Sequence, residues 1–118
     1  MNDLESVATV EESLRGNGIS VESISSGPPL SLTYLTAFPG VEPNRGEVGR
    51  AVTAFLELAR DGEWEPTSVD ATILRSDDDV QATWRLEADW IRAYNRYELD
   101  DVELSERVLD SLDREEEP

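Results

Sequence analysis

Residues 68–88 read SVDATILRSDDDVQATWRLEA, and this stretch decides the class of fold. Val69, Ala71 and Ile73 alternate with Asp70, Thr72 and Leu74; then Val80, Ala82, Trp84, Leu86 and Ala88 alternate with Gln81, Thr83, Arg85 and Glu87. A period of two places each set on its own face of a strand. Ser76-Asp77-Asp78-Asp79 supplies turn residues between the runs, so the stretch reads as a β-hairpin with one apolar and one polar face.

The same pattern recurs upstream in LSLTYLTAF, where Leu30, Leu32, Tyr34 and Phe38 oppose Ser31, Thr33 and Leu35. Gly27-Pro28-Pro29 separates it from a β-rich run, Ile19 to about Ser25, because proline cannot donate to a ladder. A helix precedes this first hairpin, with Leu4, Val7, Val10 and Leu14 along one face, Asn2 or Asp3 as its cap, and Gly16 and Gly18 at its end. A second helix lies between the hairpins. Asn44 and Glu47 have the spacing of an N-cap and its N3 carboxylate, Val48, Val52, Phe55, Leu56 and Ala59 form the apolar set, and Asp61-Gly62 stops it.

Asp89 then caps an aromatic helix, WIRAYNRYEL, and Asp100 with Glu103 starts a last one carrying Leu104, Val108 and Leu112. The order α-β-β-α-β-β-α-α predicts a two-layer α+β fold: a four-stranded antiparallel sheet with helices on one face. Residues 1–114 are expected to form one domain, and 115–118 a frayed acidic tail. Ser20-Val21 with Ser68-Val69, and Thr33-Tyr34 with Thr83-Trp84, fit either an αββ duplication or chance.

Composition narrows the chemistry. The chain of 118 residues carries 27 acidic and 10 basic side chains, a net charge of −17, and every basic residue is arginine. Without cysteine it has no thiolate nucleophile or disulfide; without histidine it lacks the usual neutral-pH base; without lysine it forms no Schiff base. No apolar run reaches the ~18 residues of a membrane span, and the N-terminus lacks the basic and apolar regions of a signal peptide. A soluble, cytoplasmic protein is therefore expected, with no membrane partner, no cofactor and no metal. Nucleic acid is disfavoured as a partner because its affinity comes from cationic contacts to phosphate.

Zero lysine beside a large acid excess resembles the small acidic cytosolic proteins of haloarchaea, many of unknown function. The resemblance spans the whole chain by composition and implies a salt-rich environment rather than an activity. In general architecture the predicted fold is similar to small α/β interaction modules and secretion-chaperone-like proteins, an analogy of fold alone.

Three places could carry function. The polar sheet face would hold Ser31, Thr33, Leu35, Asp70, Thr72, Leu74, Gln81, Thr83, Arg85 and Glu87; Leu35 and Leu74 could meet a partner there, and Thr and Ser otherwise suit a solvated face. Trp90, Arg92, Tyr94, Arg96 and Tyr97 form the densest aromatic and arginine cluster, the residue types enriched at binding hot spots, although Trp90 and Tyr94 at four-residue spacing also fit packing on the sheet. Arg45 and Arg50 flank the start of the second helix, where free amides favour anions, and could hold a carboxylate or phosphate or simply pair with local glutamates. Asp77-Asp78-Asp79 reads as a turn, lacking the order of a calcium loop. Trp64 reads as a lid over the helix end. The leading expectation is a non-catalytic interaction or regulatory homodimer that also engages another protein. The alternative is a small anionic-ligand-binding protein or an unusual enzyme using carboxylates and arginine.

Overall fold

A computed structural model describes residues 3–114, with side chains from Val7 onward. The expected cap at Asn2, the side chain of Leu4 and the tail 115–118 lie outside the described residues. The elements are α1 (Asp3–Gly16), β1 (Ser20–Ser25), β2 (Leu30–Leu35), α2 (Arg45–Arg60), β3 (Val69–Ser76), β4 (Asp79–Leu86), α3 (Ala88–Asn95), α4 (Asp101–Asp110) and β5 (Asp113–Arg114). The α+β class holds, and the sheet differs from the expected one in two ways.

It has five strands in the order β1-β2-β3-β4-β5, and its central pair, β2 and β3, is parallel. The physical reason is the helix between them. Strands joined by a tight turn pair antiparallel, but α2 carries the chain back along the sheet, so β3 restarts at the end where β2 began. The sheet is therefore mixed. β3 consequently runs opposite to β1, so the two αββ units are not related by a shift along the sheet. The fifth strand is a two-residue addition outside β4, pairing Arg114 with Ala82 and Asp113 with Thr83.

Alternation sorts the faces as read. Leu30, Leu32, Tyr34, Val69, Ala71, Ile73, Ala82, Trp84 and Leu86 are buried beneath the helices, with Val10, Leu14, Val48, Phe55, Leu58, Ile91, Leu104 and Val108 facing them in one core. Trp64 belongs to that core, its ring tilted against Phe55 at 5.1 Å, so its lid position is a packed one. The Trp84 indole N–H donates to the Tyr34 hydroxyl at 3.0 Å within the core. Burial, outweighing the effect of that bond, pushes the Tyr34 hydroxyl far above its ordinary pKa of 10, so it remains a phenol. Tyr34→Phe strands the Trp84 donor and is expected to cost about 1–2 kcal/mol in urea unfolding; an unchanged midpoint would mean the bond contributes nothing.

Several boundaries moved. Phe38, expected to share a face with Tyr34, lies in the loop after β2 and is 44% exposed. Gln81, placed on the polar face, is fully buried: a register shift between Ile73 and Leu74 leaves it outside the strict alternation, and its amide turns under the loop after β2. The helix expected over WIRAYNRYEL is capped by Glu87 rather than Asp89 and ends at Asn95.

Both sheet edges are interrupted. β1 carries a bulge at the exposed Glu22, and β4 is covered by β5 and by Ser111, whose hydroxyl accepts from the Arg85 N–H at 2.8 Å. Bulges and charges are common protections of strand edges.

Candidate functional site

The N-terminus of α2 starts where the spacing of Asn44 and Glu47 puts it. The Asn44 side chain accepts from the Glu47 N–H at 2.8 Å. The Glu47 carboxylate does not reach back to complete a box. It is buried, 2% exposed, and accepts from the Thr36 hydroxyl at 2.5 Å and the Ala37 N–H at 3.0 Å. Thr36 in turn accepts from the Phe38 N–H at 3.0 Å. Glu47 thus ties the loop 36–44 to the helix it precedes.

The far side of that loop is tied to the sheet. The Gln81 Nε2 donates to the carbonyls of Phe38 and Gly40 at 3.0 and 2.9 Å, Arg75 donates to Gly40 O at 2.8 Å, and Arg114 pairs with Glu42. These anchors hold a connection that presents Phe38 and Val41, 44% and 69% exposed, to solvent. Buried hydrogen-bonded groups rigidify a segment because breaking any one leaves its partner desolvated.

α2 is followed in space by α4, which packs on β4 and leaves a furrow between itself and α2. The furrow encloses about 450 Å³ and is lined by Arg45, Gly49, Arg50, Val52, Leu56, Leu104 and Val108, among others. A Cβ at Gly49 would meet nothing within 4 Å. Among the described residues Arg45 and Arg50 make no ion pair, as is also true of Arg60, Arg96 and Arg107, whereas Arg15, Arg75, Arg85 and Arg92 each hold a carboxylate. The structure therefore gathers both arginines singled out in the sequence on one solvent-facing groove.

At the other end of the furrow stand Asp101 and the α3–α4 connection, where a second depression is lined by Arg60, Tyr94, Tyr97 and Asp100. The Tyr94 hydroxyl donates to Asp101 at 2.5 Å, and that bond, more than burial or the Asp101 charge, raises its pKa above 10. Asp100 caps α4 in a full capping box with Glu103. Trp90 is half-buried against the core, Arg92 reaches Asp89 and the Pro66 carbonyl, and Arg96 is the exposed C-cap of α3. The aromatic cluster thus divides. Trp90 and Tyr94 pack, while Tyr97 is 95% exposed.

Tyr97 also has φ +64°, in the left-handed region. Its N–H donates to Tyr94 O at 3.1 Å and the next N–H, of Glu98, to Ala93 O at 2.8 Å, the closing pair of a Schellman motif. Glycine is the usual occupant there, since a side chain in this conformation costs about 1 kcal/mol.

On the open sheet face, register lines up Ser23, Thr33, Thr72 and Thr83 in one row, and Ser25, Ser31, Asp70 and Arg85 in another. Leu35 and Leu74 are direct cross-strand neighbours, each half-buried. Asp77 and Asp78 form the hairpin turn, with Asp78 at φ +63°, and Asp79 already opens β4 opposite Ser76. Among the described residues no group of three or more carboxylates is placed to hold a metal, and no helix is long and apolar enough to cross a membrane.

Glu47 was not marked as functional by the sequence, and Gln81 was placed on the polar sheet face rather than under the loop it anchors. The Asn44–Glu47 spacing located Glu47 correctly but assigned its carboxylate to the helix end, where most such glutamates go.

A five-stranded mixed sheet, a one-sided helical layer, a stapled loop and an open furrow with two arginines characterise a small α+β protein. The chain belongs to the family described as a domain of unknown function, DUF8159, whose model matches residues 1–118. No curated protein and no solved structure matches it.

Proposed function

We propose that the protein is a non-catalytic interaction module that acts as a homodimer and presents the helical side of its sheet to partners. The observation that carries this reading is Tyr97. It is an aromatic residue, almost fully exposed, kept in a backbone conformation that glycine would adopt without strain. Strain retained at an exposed aromatic is accounted for by contact with something outside the fold. The acidic, lysine-free composition supports a cytoplasmic setting at high salt, as in haloarchaea.

Tyr97→Gly tests this directly. Relief of the left-handed side chain, partly offset by the freer unfolded chain, is expected to raise stability by about 0.5–1 kcal/mol in guanidinium unfolding. The same variant is expected to lose the protein partners that tagged wild type retains from lysate at ~3 M KCl. Equal retention by both proteins would remove Tyr97 from the surface and the basis of the proposal with it.

A second reading is favoured by Arg45 and Arg50 on the furrow, which have no ion-pair partner among the described residues: binding of a small carboxylate or phosphate compound. It predicts a rise in melting temperature with millimolar citrate or phosphate at constant ionic strength, absent in an Arg45→Ala, Arg50→Ala double variant. No rise in wild type would rule it out.

A further inference from the structure

The furrow between α2 and α4 is polarised along its length. One end holds Arg45 and Arg50, without ion-pair partners among the described residues; the other holds Asp101, with Asp100 and Glu103 beside it and Arg60 across from them. The middle is apolar, with Val52, Leu56 and Leu104 along it and open space above Gly49. The exposed large hydrophobics among the described residues fall at the same two ends. Phe38 and Val41 sit on the loop leading to Arg45, while Tyr97 and Val102 flank Asp101 on the α3–α4 side.

A strip that is positive at one end, net negative at the other (Asp100, Asp101 and Glu103 against Arg60) and apolar between is complementary to itself after a half-turn about an axis across its middle. We propose that this furrow is the interface of a two-fold dimer of this chain. The Arg45 end of each copy lies over the Asp101 end of the other, and Tyr97 of each meets Phe38 and Val41 of its mate. In a two-fold interface every contact occurs twice, so one matched pair of ends supplies both halves. This rests on the interaction-module reading and assigns its face and its partner.

Alternative routes to self-association are blocked or poorer. The sheet edges are protected by the Glu22 bulge and by β5 with Ser111, and the open face offers mainly hydroxyl rows around Leu35 and Leu74. The 16 residues of α2 make a strip ~24 Å long. With α4 and the two flanking connections, such a strip approaches the ~800 Å² per partner of a standard interface. Two copies each carrying −17 repel at long range, so the dimer is expected to strengthen as salt shortens the Debye length to about 3 Å.

The test is light scattering and sedimentation velocity in ~3 M KCl on four preparations. Wild type is expected to be dimeric. Arg45→Asp and Asp101→Arg, each alone, set like charge over like charge inside the covered interface, where salt screens a pair much less than on the open surface, and are expected to weaken the dimer ~10-fold or more. Mixed in equal amounts they are expected to restore it, because the reversed end of one meets the reversed end of the other. Gly49→Trp fills the furrow and is expected to be monomeric with unchanged far-ultraviolet circular dichroism. It also carries the test if Asp101→Arg, which loses the Tyr94 bond, folds poorly. A wild-type dimer indifferent to every variant overturns this face and leaves the module reading standing. A wild type that remains monomeric at high concentration overturns the dimer itself, after which capture through Tyr97 decides the module reading separately.

Discussion

Glu47→Ala is expected to destabilise the protein by about 2–4 kcal/mol, measured as a shift in urea midpoint at unchanged slope. The carboxylate is 2% exposed and serves two donors, the Thr36 hydroxyl and the Ala37 N–H. Removing it leaves the buried Thr36 hydroxyl and the part-buried Ala37 N–H without their acceptor beside a cavity, and a buried unsatisfied donor carries a desolvation cost of about 1–3 kcal/mol. The loss reaches further, because Thr36 also accepts from Phe38 and so fixes the start of the loop carrying Phe38 and Val41. Glu47→Gln separates charge from geometry. Its amide keeps one acceptor oxygen but turns an NH₂ toward one of the two donors, so roughly half the loss is expected. A Glu47→Ala protein as stable as wild type would show that the loop is held by Gln81 and Arg75 alone. If the dimer forms as proposed, both variants should also weaken it in proportion to their effect on the loop.

Lowering KCl from ~3 M to ~0.1 M is expected to cost the folded state about 2–3 kcal/mol, lowering the melting temperature and thinning near-ultraviolet circular dichroism first. Ten arginines cannot neutralise 27 carboxylates under any arrangement. Acidic residues are also crowded locally, as at Asp77, Asp78 and Asp79 in and beside the hairpin turn and at Asp100, Asp101 and Glu103 in the first turn of α4. Like charges ~6 Å apart repel by about 0.4 kcal/mol through water at 0.1 M salt and by very little at 1 M or above. Half a dozen such pairs reach the stated range. The ion pairs present do not offset it, since those of Arg15, Arg85 and Arg92 are exposed and worth little. A melting temperature that is flat between the two salt concentrations would contradict this account.

The two results bear on different layers of the molecule. Salt acts on the surface charge, which is a property of composition. Glu47 acts on a single buried contact, which is a property of the fold. Their independence can be checked by measuring Glu47→Ala at both salt concentrations; the difference from wild type should be nearly constant.

Much of the architecture was legible because it depends on short-range pattern. Alternation at residues 30–35 and 69–74 sorted inside from outside, Asp100 with Glu103 located α4, and Asn44 located α2. Arg45 and Arg50 were also visible, as cations beside a helix start. What was misread depended on long-range arrangement. Gln81 looked like an outward strand residue, and only the register shift beside it and the loop crossing above it bury its amide. Phe38 continued the alternation of β2, yet Thr36 turns the chain toward Glu47 before Phe38 can join the sheet. Within WIRAYNRYEL nothing local separates Tyr94 from Tyr97. The helix ends between them because Tyr97 closes the Schellman turn that redirects the chain toward α4.

The sequence by itself determined the four helices and four of the strands, most of the apolar faces, the chemistry excluded by missing histidine, cysteine and lysine, and the acid excess from which the dependence on salt is predicted. Each follows from residue type and spacing along the chain. The tertiary structure alone decided that β2 and β3 run parallel and that a fifth strand closes the sheet. It also decided that Glu47 is interior, and that Arg45 and Asp101 line one furrow with Tyr97 in the depression adjoining it. Those relations join residues many positions apart. They are set by how the chain crosses over the sheet through α2 and by which surfaces α4 leaves uncovered, and no local pattern encodes either.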